Sequence, residues 1–85
     1  MSYEDIRKNI SNIIGEYHTD DYFMTDQITK VIVEFCRVNK VACLTVPKKN
    51  DILQYTFVNK DLNRQTLLFD IKTIMRQHKL KKLMR

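Results

Sequence analysis

The chain has 85 residues, 44% hydrophobic and 29% charged, with fifteen Lys and Arg against ten Asp and Glu for a net charge of +5. A chain of that size makes one domain, residues 1–85, and buries only about 60–65% of its unfolded surface. Its stability is therefore on the order of 5 kcal/mol, which leaves few residues to spare for an elaborate internal active site.

Two cysteines, Cys36 and Cys43, do not make a disulfide scaffold. The acidic opening Met1-Ser2-Tyr3-Glu4-Asp5 lacks the apolar run of a secretory leader. No stretch approaches the ~18 apolar residues of a membrane span. The expected setting is the cytoplasm, with reduced thiols and no membrane. A single alanine, Ala42, among plentiful Ile, Lys, Asn and Asp suggests an AT-rich coding genome such as that of a phage, a virus or a low-GC bacterium. Charge is uneven along the chain: residues 1–26 carry six acids and two bases, and residues 27–85 thirteen bases and four acids. A basic body of this kind attracts polyanions at one end and stays soluble at the other.

In chain order, Ser2 to Asp5 reads as a capping box. Tyr3, Ile6, Ile10, Ile13, Ile14 and Tyr17 then mark one face of a helix over about 3–17. Gly15 weakens its last turn by roughly 1 kcal/mol relative to Ala. Residues 18–24 read as a connector, and Thr25 as the cap of a second helix over about 26–39. Ile28, Val31, Ile32, Phe35 and Cys36 form its stripe, with Val33 and Val38 off it. That helix is apolar nearly all round, which makes it either the central helix or one with a flank for a partner.

Val41 to Val46 and Ile52 to Val58 are β-branched and aromatic and read as strands, with turn chemistry in Lys48-Lys49-Asn50-Asp51. A four-residue loop sets Val46 opposite Leu53, Leu44 opposite Tyr55 and Ala42 opposite Phe57, all on a core face, with Cys43 and Thr45 behind. Leu67, Leu68, Ile71, Ile74, Met75 and His78 then follow helical spacing. They predict a third helix over about 62–79 capped by Asp61 or Asn63, with a strand over 65–71 as the competitor. Residues 79–85 form a frayed basic tail. The expected fold is a small α+β domain of order α-α-β-β-α, its antiparallel hairpin packed against helices.

Catalysis finds no support. His18 and His78 stand in no motif, and His78 suits helix packing. Six residues separate the cysteines, which is not a zinc-knuckle spacing. Asp20, Asp21 and Asp26 lack the alternating calcium-loop pattern. Gly15 is the only glycine, so no glycine-rich phosphate loop exists. No enzyme, metal or cofactor is expected.

Basic clusters carry the functional expectation. RQHKLKKLMR, residues 76–85, holds five Lys and Arg and no acid, which suits phosphate contact. Lys48 and Lys49 stand at the hairpin tip. The local order of helix then basic-tipped hairpin resembles the wing region of winged-helix DNA-binding domains, although residues 18–24 are too short for the further helix those domains need. The leading expectation is a small regulatory nucleic-acid-binding protein that contacts DNA or RNA phosphates through Lys48, Lys49, Arg76, Lys79, Lys81, Lys82 and Arg85. Lys30, Arg37 and Lys40 would be accessory. The alternative is a protein-interaction module, an adaptor or inhibitor of phage or viral kind, using the flank of the second helix or a hairpin face. A homodimer is compatible with either.

Overall fold

The computed structural model describes residues 2–83, without the side chains of 47, 48, 82 and 83. Its elements are α1 (Tyr3–Tyr17), α2 (Asp21–Asn39), β1 (Ala42–Lys49), β2 (Ile52–Val58), β3 (Arg64–Asp70) and α3 (Ile71–Leu83). The α+β class and the hairpin packed on helices are those expected. The order differs by one added strand, β3, where the periodicity had favoured helix.

α1 begins at the capping box: the Ser2 hydroxyl accepts from Asp5 N–H while the Asp5 carboxylate accepts from Ser2 N–H. Hydrogen bonding from the Ser2 amide, then from its hydroxyl, holds the Asp5 carboxyl below its ordinary value. Ile6, Ile10 and Ile14 are completely buried, and α1 packs against both α2 and α3. It is α1, therefore, that is the central helix. α2 starts five residues earlier than the sequence suggested. Its cap is Asp20, whose carboxylate accepts from Phe23 N–H at 3.1 Å, and this brings Met24 into phase with the buried Ile28, Ile32 and Phe35. Tyr17 and Phe23 meet edge to face across the short connector, ring centroids 4.7 Å apart. With α1 at the centre, the off-stripe residues Val33 and Val38 of α2 stand exposed.

The three strands form one antiparallel sheet in the order β1-β2-β3. The pairing corrects the expected register by one residue: Val46 faces Gln54, Leu44 faces Thr56 and Ala42 faces Val58. Two local features cause the shift. The turn is a tight Asn50-Asp51 pair, both at positive φ (54° and 62°), as a two-residue primed turn requires. It leaves Lys49 paired with Ile52, and between Val46 and Lys49 two residues, 47 and 48, stand opposite the single Leu53. Pro47 has no N–H to give the ladder, so a bulge on this edge strand is the natural outcome.

The slip reverses the faces of β1. Cys43, paired with Phe57, packs against the core, while Leu44 lies 55% exposed on the other face. The expected core pair of Leu44 and Tyr55 is thus wrong.

The second turn is built by Asn59, whose side-chain oxygen accepts from the N–H groups of Asp61 and Asn63 at 2.9 and 3.0 Å. Asp61 and Asn63 accordingly belong to a hairpin turn and cap no helix. β3 then alternates: Leu67 and Phe69 are buried, Thr66 and Leu68 exposed. Asp70 ends the strand and caps α3, its carboxylate accepting from Thr73 N–H at 3.2 Å. Helix thus follows strand without a connector.

The core is one cluster in which the three sheet residues Phe57, Leu67 and Phe69 meet the buried faces of the helices. Tyr3, Phe35 and Phe57 interlock, with ring centroids 5.1–5.7 Å apart. The opposite face of the sheet is uncovered: Leu44, Val46, Ile52 and Leu68 are each 41–57% exposed.

Candidate basic groove

Helix geometry places Lys72, Arg76 and Lys79 on one face of α3, because residues four and seven positions apart superpose on a 3.6-residue period. All three line a groove of about 630 Å³ between α3 and the C-terminal end of α1. Met75 contributes an apolar patch, and Gly15, Glu16, His18, Thr19 and His78 complete the walls. Three cations and two imidazoles therefore stand against a single acid, Glu16.

The close approach of α3 to α1 depends on Gly15. A Cβ at that position would lie 2.7 Å from His78 Nδ1 and 2.8 Å from its Cγ. The imidazole occupies the space where a side chain would be, so the glycine that weakens α1 locally is what lets α3 cross it. His78 Nε2 sits 3.2 Å from Glu16 Oε1. The distance suits an ion pair, but the alignment is too poor for a hydrogen bond, and the nitrogen is buried without another partner.

His18 closes the other end of the groove. Its Nδ1 is 3.2 Å from the carbonyl oxygens of both Ile14 and Gly15. Carbonyl oxygens only accept, so Nδ1 carries the proton and donates, capping the end of α1.

α3 is anchored at its start by the first hairpin. Ile71 N–H donates to Asp51 O at 2.9 Å, and Lys72 Nζ stands 3.6 Å from the Asp51 carboxylate. Both groups of that pair are largely exposed, so it holds Lys72 only loosely.

The basic residues singled out from the sequence are thus divided. Arg76 and Lys79 come together in the groove. Lys81 is exposed on α3 but does not line the groove. Lys49 is exposed in the end row of the open sheet face. The side chains of Lys48 and Lys82, and all of Arg85, lie outside the described residues. Lys30 pairs with Asp26 at 3.3 Å and Arg37 with Glu34, each one turn away on α2. Lys40 ends α2 in the left-handed conformation, φ 55°. Lys72 was overlooked. Its signal, the helical spacing to Arg76 and Lys79, was already present in the helix expected over about 62–79.

Most of the aromatic rings pack inward, while Tyr22, 87% exposed near the start of α2, does not line the groove. Tyr55 and Phe57 face inward, and burial, aided by Cys43, pushes the Tyr55 hydroxyl up to about 12. Among the described residues, no three His, Cys, Asp or Glu side chains gather to hold a metal ion. No described helix is long and apolar enough to cross a membrane. Comparison with protein-family models, with curated proteins and with solved structures finds no match for the chain.

Proposed function

We propose that this protein is a small regulatory nucleic-acid-binding protein that grips the phosphate backbone through the cationic face of α3. The observation that carries the reading is the row Lys72, Arg76 and Lys79 along one groove. Seven residues of helix span about 10 Å, which matches the axial reach of about three phosphates on one strand. Lys81, Lys82 and Arg85 continue the positive stretch along the chain, and Lys48 and Lys49 add charge at the hairpin tip. Lys30, Arg37 and Lys40 remain accessory, the first two already engaged with acids. Free Cys36 and Cys43 suit a reducing, cytoplasmic compartment.

The contacts are electrostatic and read no base sequence. Arg76 offers a planar fork that binds phosphate in bidentate fashion, while Lys72 and Lys79 act as point charges. No described Phe or Tyr ring lines the groove, so single strands gain no stacking platform there. Discrimination between duplex and single strand therefore rests on groove shape alone.

A second reading has its own observation. Val33 is 61% and Val38 49% exposed on α2, and these exposed apolar side chains on either side of the buried stripe suit a protein-interaction module. One experiment separates the two. Labelled duplex DNA, single-stranded DNA and RNA of unrelated sequences are titrated with wild type, Arg76→Glu and Val33→Glu at low salt. The proposal expects comparable binding to unrelated sequences, loss of at least tenfold with Arg76→Glu, and little change with Val33→Glu. Equal affinity of wild type and Arg76→Glu would reject the groove as the binding site.

A further inference from the structure

The open face of the sheet is organised in rows that are complementary to themselves, and we infer that it is where two copies of this chain associate. Residues paired across the strands share a face. The outward rows are Ala42–Val58–Arg64, Leu44–Thr56–Thr66, Val46–Gln54–Leu68 and Lys49–Ile52–Asp70. The helices occupy the other face, so this one is uncovered, and its four large aliphatics are 41–57% exposed.

A two-fold axis running along β2 lays β1 of one copy over β3 of the other, row on row. Val46 then meets the second copy's Leu68, and Leu68 its Val46. Ile52 meets itself on the axis. The end row reads positive, apolar, negative, so Lys49 falls over the second copy's Asp70 and Asp70 over its Lys49. Asp70 gives one carboxylate oxygen to Thr73 N–H, and its second oxygen remains for this contact. Arg64 faces only Ala42. No charged residue occupies the axis: Gln54 and Thr56 do, and each carries both donor and acceptor, so each can pair with its own copy. A symmetric interface requires this self-complementarity. Other rows would not satisfy it: had Lys49 and Asp70 been of one sign, the same axis would have set like charges together.

Three strands about 4.8 Å apart and some seven residues long give a footprint of roughly 330 Å² per copy. That is well below the roughly 800 Å² per partner of a standard stable interface, so the dimer is weak and reversible, forming only at high concentration. The basic groove lies outside the contact and is left free in both copies.

The test is sedimentation equilibrium from about 10 μM to 1 mM, together with backbone NMR shifts followed on dilution. Wild type should move from its 10.2 kDa monomer mass towards twice that value. The dilution shifts should centre on Leu44, Val46, Ile52 and Leu68. Ile52→Lys sets two ammonium groups together on the axis and should weaken association at least tenfold while leaving the circular dichroism spectrum unchanged. Lys49→Asp, away from the apolar centre, should weaken it severalfold. A wild type that stays monomeric throughout, or dilution shifts centred on Val33 and Val38 of α2, would overturn the inference. So would an Ile52→Lys variant that folds and associates like wild type.

Discussion

Gly15→Ala sets local helix preference against tertiary packing, and the structure decides which wins. In an isolated helix the change would gain about 1 kcal/mol. Here the new methyl would lie 2.7 and 2.8 Å from His78 Nδ1 and Cγ, and 3.2 Å from its Cβ. These atoms are the stem of the ring rather than the free end of a flexible chain. They can retreat only if the imidazole changes rotamer or α3 moves off α1. Overpacking of this kind costs about 1–3 kcal/mol. The net expectation is a loss of about 1 kcal/mol. In urea, with a slope of about 1 kcal/mol/M for a chain this small, the unfolding midpoint should fall by about 1 M. The cycle with His78→Ala gives the sharper test, because contacting residues do not add. Without the ring, Gly15→Ala should become neutral or stabilising by up to about 1 kcal/mol. If Gly15→Ala raises the midpoint while His78 is present, α3 does not cross α1 at this point and the groove as described does not exist.

Phe35→Ala should cost roughly 3–5 kcal/mol by opening a cavity beside Tyr3 and Phe57, leaving the chain largely unfolded in a chemical denaturation series. Leu62 holds φ 62° at the tip of the second hairpin with its side chain 78% exposed. Relief of that left-handed strain should let Leu62→Gly raise stability by about 0.5–1 kcal/mol in the same assay. Burial, then the nearby Cys36, pushes the Cys43 thiol up to about 11, so the folded chain holds this proton longer than the unfolded one. The stabilisation is complete below the ordinary thiol value near 8.5 and fades as pH rises to about 11, with Tyr55 adding a further loss up to about 12. Urea midpoints between pH 8 and 12 should fall accordingly, and Cys43→Ala should flatten the lower part of the decline.

Some of this fold could be read directly from the residues. Ser2 and Asp5 with a regular isoleucine period define α1 without ambiguity. Ile52 to Val58 defines β2 to the residue. The errors arose where two periodicities touch. Leu67 and Phe69 alternate as a strand, while Ile71, Ile74, Met75 and His78 repeat as a helix. Asp70 joins the two with no Gly or Pro between them, so one long helical pattern seemed to run through both. The register failed for a related reason. Pro47 sits inside a stretch that looks like continuous strand, and the bulge there moves β1 by one residue and turns it over. The groove was legible only in part: Lys72, Arg76 and Lys79 stood at helical spacing in the expected helix, but which face of α3 lies beside α1 is decided by packing against Gly15.

The salt dependence of binding tests the proposed function most directly. Affinity for a labelled duplex is measured across a salt series for wild type and for a variant carrying Lys72→Gln, Arg76→Gln and Lys79→Gln. At roughly −0.9 per phosphate contact, three groove contacts contribute about −3 to the slope of log K against log[salt]. The variant should lose that contribution, keep its fold because these side chains are exposed, and weaken about equally on unrelated sequences. No binding by wild type at ~50 mM salt, where phosphate contacts are strong, or an unchanged slope in the variant, would contradict phosphate recognition by the groove.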